Sequence, residues 1–127
     1  MGKKRRNASI MTEVPFSEQL RKVLDQVERK GVHLVGCDAI SDYLTKSPDI
    51  LELIPTAVEA VQTYLPDAQL FLRVYHDPEV EDMYLTLLVR LPEYDDAVIE
   101  RIRKAEAMFI DALANRQGWL QITTDFR

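Results

Sequence analysis

QLFLRVYH (residues 69–76) and MYLTLLVRL (residues 83–91), joined by the acidic loop DPEVED (residues 77–82), decide the fold. Both runs alternate in side-chain character with the period of two that a strand requires, so together they read as a β-hairpin. With Tyr75 opposite Tyr84, Val74 faces Leu85, Leu72 faces Leu87 and Leu70 faces Val89, and one side of the ribbon becomes wholly aliphatic. That side is the expected core. The other side carries Phe71, Arg73 and Tyr75 on the first strand and Tyr84, Thr86, Leu88 and Arg90 on the second. This is too aromatic for an ordinary wet surface, so something is expected to cover it.

Working outward, apolar residues recur at helical spacing at Phe16, Leu20, Val23, Leu24 and Val27, and Gly31 is a stop signal; an amphipathic helix is expected over residues 16–30. Residues 32–36 form a short apolar run that can be a strand or an extended linker. Asp38 is placed to cap a short helix ending at Lys46, and Ser47-Pro48 pairs a cap residue with proline at a first helical position. The pattern Ile50, Leu51, Ile54, Val58, Val61, Leu65 then runs past Pro55, where a kink or restart is expected, with Thr56 and Glu59 as a capping box. After the hairpin, residues 94–117 place Ile99, Ile102, Ala105, Phe109 and Leu113 on one stripe and read as the longest helix, with Gly118 as its C′ residue. Residues 119–126 alternate again: Leu120, Ile122, Thr124 and Phe126 face the core, and Trp119, Gln121, Thr123 and Asp125 join the face of Tyr75 and Tyr84.

This order predicts an α+β fold: a small antiparallel or mixed sheet, with helices on one face and the other face open. If residues 32–35 form a strand the order is βαββαβ, the ferredoxin-like arrangement; if not, its ββαβ core remains. Residues 1–12, polar and basic, are expected to be a disordered tail, and residues 13–127 a single domain.

The chain has 127 residues, 46% of them apolar, enough for one core. Its 16 basic and 21 acidic residues give a net charge of −5, and without Lys3, Lys4, Arg5 and Arg6 the balance is 12 against 21. An acidic body disfavours nucleic acid and anionic membrane, because phosphate contacts draw on positive charge. No apolar run reaches the roughly 18 residues of a membrane span, Cys37 stands alone, and the basic start is not followed by the apolar segment of an export signal. A cytoplasmic protein is expected.

The candidate contact surface is Phe71, Arg73, Tyr75, Tyr84, Leu88, Arg90 and Trp119, with the tyrosines, Phe71, Leu88 and Trp119 as apolar anchors and the arginines as rim partners. A homodimer or another protein is the expected occupant, unless the first helix packs over this face and completes the core. Exposed sheet aromatics with arginines also suit single-stranded RNA, but the chain lacks the clustered ribonucleoprotein motif. His76 and the carboxylates of the 77–82 loop are a candidate metal or acid-base site, although their spacing matches no calcium or zinc signature. His33 and Cys37 lack an assignable third group for nucleophilic chemistry, and a lone cysteine reads as a small buried hydrophobe. Gly2, Gly31, Gly36 and Gly118 are too scattered for a phosphate loop. No catalytic residue, metal ligand or cofactor is assigned. The expectation is a non-catalytic interaction or regulatory module; the alternatives are a ligand- or metal-binding, enzyme-like domain at the His76 loop and an RNA-binding module.

Overall fold

The computed structural model describes residues 15–77, 79 and 82–126. The basic tail and the start of the domain at residue 13 lie outside these residues, as do several positions of the acidic loop. In chain order the elements are α1 (Phe16–Arg29), β1 (Val32–Leu34), α2 (Cys37–Lys46), a 3₁₀ turn (Pro48–Ile50), α3 (Leu53–Tyr64), β2 (Gln69–Asp77), β3 (Asp82–Leu91), α4 (Asp96–Ala107), α5 (Ile110–Leu113) and β4 (Leu120–Phe126).

The hairpin has the register expected from its alternation. Leu70 pairs with Val89, Leu72 with Leu87, Val74 with Leu85 and Tyr75 with Tyr84. The short run after Gly31 is a strand, parallel to β2, with Val32 opposite Leu70. β4 lies parallel to β3 on the other side, with Leu120 opposite Leu85 and Ile122 opposite Leu87. The sheet order is therefore β1-β2-β3-β4, an antiparallel hairpin flanked by one parallel strand on each side.

The α+β architecture stands, but the ferredoxin-like expectation is not met. That fold is a split βαβ pattern, in which another strand separates the parallel pair. Here each crossover joins neighbours, β1 to β2 through α2 and α3 and β3 to β4 through α4 and α5.

One apolar cluster forms the core. It joins Leu70, Leu72, Leu85, Leu87, Val89, Leu91, Leu120 and Ile122 from the sheet to Leu20, Leu24 and Val27 of α1, Ile40 and Leu44 of α2, and Ile54, Val58 and Val61 of α3. Each such fully buried aliphatic side chain is worth about 1.5–3 kcal/mol over its exposed state. α1 thus packs against the helical layer and β1, on the aliphatic side of the sheet, and leaves the aromatic side uncovered by it.

Several local expectations are revised. α2 starts at Cys37, two residues earlier than a cap at Asp38 would place it, behind Gly36 in a left-handed conformation with φ of 74°. Such backbone favours glycine. The Pro48 pattern divides upstream of Pro55, at Leu51–Glu52, so Pro55 sits in the first turn of α3, where no intrahelical amide bond is required of it. No capping box forms at Thr56, since α3 has already begun at Leu53. The long helix breaks at Met108–Phe109: the Met108 and Phe109 amides bond back to Ala105 and Glu106, a 3₁₀-type tightening that turns the chain before α5. Phe109 and Leu113 stay buried through this break, whereas Ile99, expected on the core stripe, is exposed. Asp95 caps α4, its Oδ1 accepting from the Val98 amide at 3.1 Å.

The start of β4 is held by a clamp of residues far apart in sequence. Asp49 accepts from the amides of Gln117 and Gly118, while Arg116 donates to the Asp49 carbonyl and, at 2.8 Å, to Glu52. A Cβ on Gly118 would stand 3.0 Å from Ile50, so this glycine serves close packing rather than a positive φ.

Candidate functional site: the open sheet face

Strand alternation sends His33, Phe71, Arg73, Tyr75, Tyr84, Thr86, Leu88 and Arg90 away from the core. None of them belongs to the core cluster. Leu88 is instructive: it is buried, yet buried on the far side of the sheet, beneath longer neighbours on that face.

Phe71 lies between two partners. Its ring stacks on His33 with centroids 5.0 Å apart and 25° between planes, and the Arg90 guanidinium carbon sits 4.6 Å from its centroid. Arg90 is further fixed by a bidentate pair with Asp125 of β4, at 2.9 and 3.1 Å. The hydrogen bonds to Asp125 hold the Arg90 guanidinium above its ordinary pKa, opposed only in part by burial. Arg90 is therefore engaged within the chain rather than offered at a rim. Arg73 differs, its side chain having no hydrogen bond or ion pair among the described residues.

Tyr75 and Tyr84 form a tilted ring pair with centroids 5.1 Å apart, and Tyr75 remains 39% exposed. Trp119 precedes β4 and by register lies across from Tyr84, 41% exposed, its amide donating to the Tyr43 hydroxyl at 3.0 Å. A groove of about 420 Å³ runs along this face, lined by Arg73, Tyr75, Tyr84, Thr86, Leu88, Arg90, Thr123 and Asp125. The hydroxyls of Thr86 and Thr123 are buried there without a hydrogen-bond partner among the described residues. Such groups are uncommon in native folds.

The seven expected contact residues are thus brought to one face, Trp119 at its margin. Sequence reasoning missed His33 as a member of this face, and it placed Thr123 and Asp125 on the face without counting them among the contact residues. Alternation marks Thr123 and Asp125, but pairing Asp125 with Arg90 requires the parallel register of β3 and β4, which no local pattern encodes.

The other candidates separate. His33 stacks on the open face, whereas Cys37 is exposed, correcting its expected burial, and lines a hollow with Leu20 and Leu24 of α1. The 77–82 loop lies in part outside the described residues, and among those described no three His, Cys, Asp or Glu residues gather as a metal site. A hollow of about 530 Å³ between α1 and the 3₁₀ turn includes Asp49, Glu52 and Arg116, which are the clamp residues of β4. Among the described residues no helix is long and apolar enough to cross a membrane. Compared with known proteins, the chain matches no family model, no curated protein and no solved structure.

Proposed function

We propose that this protein is a cytoplasmic, non-catalytic interaction module that associates through the open face of its sheet. The observation that carries the reading is one-sided covering: every helix that contributes to the core cluster does so against the aliphatic side, while the aromatic side keeps two tyrosines, a phenylalanine, a buried leucine and two buried, unpartnered threonine hydroxyls. Tyr, Trp, Phe and Arg are the residues enriched in protein contacts, and partner groups could satisfy the hydroxyls. The unpaired, exposed Cys37 suits a reducing compartment.

Photo-crosslinking in cells tests this reading. A benzophenone side chain placed at position 84 should give protein adducts, and the same group at Thr63, exposed on α3, should give none. No adduct at position 84, or equal adducts at both, would overturn the reading.

A further inference from the structure

We infer that the occupant of this face is a second copy of the chain, docked about a two-fold axis through the Tyr75–Tyr84 pair, so that Arg73 of each copy meets Asp82 of the other. This rests on the interaction reading above and adds the identity and register of the partner.

The register carries it. Tyr75 of β2 is opposite Tyr84 of β3, and the strands are antiparallel. Arg73 lies two positions before the tyrosine pair on β2, and Asp82 two positions before it on β3. They therefore stand on the same face, equally far from the pair, in opposite directions. A half-turn that stacks two such faces about the tyrosine pair exchanges the two sites, placing cation over anion twice.

Neither side chain has an ion pair or hydrogen bond among the described residues, so both charges are available. Among the other described charged side chains of the face, Arg90 and Asp125 pair with each other within one copy. Four tyrosines would meet at the centre, where offset or tilted ring contacts are favourable. The face complements itself in an isologous manner, as a two-fold contact requires.

The geometry is compatible with sheet packing. From Arg73 to Asp82 the path covers four residues along the strands, about 13 Å, and one strand spacing of about 4.8 Å, a line inclined about 20° to the strands. The half-turn then crosses the two sets of strands at about 40°, close in size to the roughly 30° of aligned sheet sandwiches. Strands of 3, 9, 10 and 7 residues, at about 3.3 Å per residue and about 4.8 Å between strands, give a plan area of about 450 Å² per copy, below the roughly 800 Å² of a standard interface. Association should therefore depend on concentration.

Sedimentation equilibrium of the full chain tests the pairing, with circular dichroism melting as a check on folding. Arg73→Glu and Asp82→Arg, both at exposed positions, should each weaken dimerisation about tenfold or more through like-charge contact, and the double variant should recover it to within about threefold of wild type. If Tyr84→Asp dissociates the dimer but the charge exchange gives no rescue, the face is an interface in another register and this inference alone falls. A monomeric wild type that still yields adducts at position 84 to a different protein removes the second copy and leaves the interaction reading standing. A dimer that Tyr84→Asp does not touch removes both.

Discussion

The two faces of one sheet are made from the same strands, and often from adjacent residues, yet they differ in kind. Leu87 and Leu88 follow one another on β3; both are buried, but only Leu87 belongs to the core cluster. On the inner face the cross-strand pairs are aliphatic and sealed by the helical layer, all five described helices of which place residues in the core cluster. On the outer face they are aromatic, cationic and hydroxylic, and part of their polar capacity is unmet. The difference separates the residues of the buried core from those of the open face.

The comparison breaks most sharply on the adjacent leucines. Leu87→Ala should cost about 2–5 kcal/mol by leaving a cavity inside the core. Leu88→Ala should cost less than half as much, because its neighbours can collapse over a shallow face. Urea denaturation of both variants checks this, and equal losses would mean that the outer face is as well packed as the inner one.

Next in size is the clamp behind the sheet. Asp49→Ala removes two amide acceptors at the start of β4 and should cost about 1–3 kcal/mol, since the amides of Gln117 and Gly118 lose their partner. Gly118→Ala should cost a similar about 1–3 kcal/mol by pressing a methyl group onto Ile50. Thermal melts of the two variants suffice, and an unchanged melt for Asp49→Ala would show that the clamp is not structural.

Thr86→Val has the opposite sign. Replacing an unpartnered buried hydroxyl with a methyl group of similar shape should stabilise the isolated chain by about 1 kcal/mol. A loss of stability would mean that the hydroxyl is satisfied in solution. The smallest effect on folding is expected for Tyr84→Asp, about 1 kcal/mol or less for the lost cross-strand ring contact, with its main consequence in association.

What the sequence disclosed follows the same division. The hairpin register and both face assignments were legible, because alternation with a period of two and the pairing of Tyr75 with Tyr84 fix every other pair. The breaks were less legible. The end of α4 at Met108 comes from amides that choose partners three residues back, a choice that apolar periodicity does not record. The parallel placement of β1 and β4, and with it the Arg90–Asp125 pair, depends on crossovers whose landing site is set by packing. The Asp49 clamp joins groups separated by more than sixty positions, and in sequence Asp49 reads only as an acid after Pro48. On the outer face, alternation named the residues but not their state: Arg73 and Arg90 look equivalent until Asp125 takes one of them.

The most direct measurement is the solution mass of the full chain by light scattering coupled to size exclusion, over a concentration series, for wild type and Tyr84→Asp. The account predicts a wild-type mass that rises toward twice that of the chain as concentration increases, and a Tyr84→Asp variant that stays monomeric with a native circular dichroism spectrum. A wild type and variant of the same mass at every concentration would contradict it.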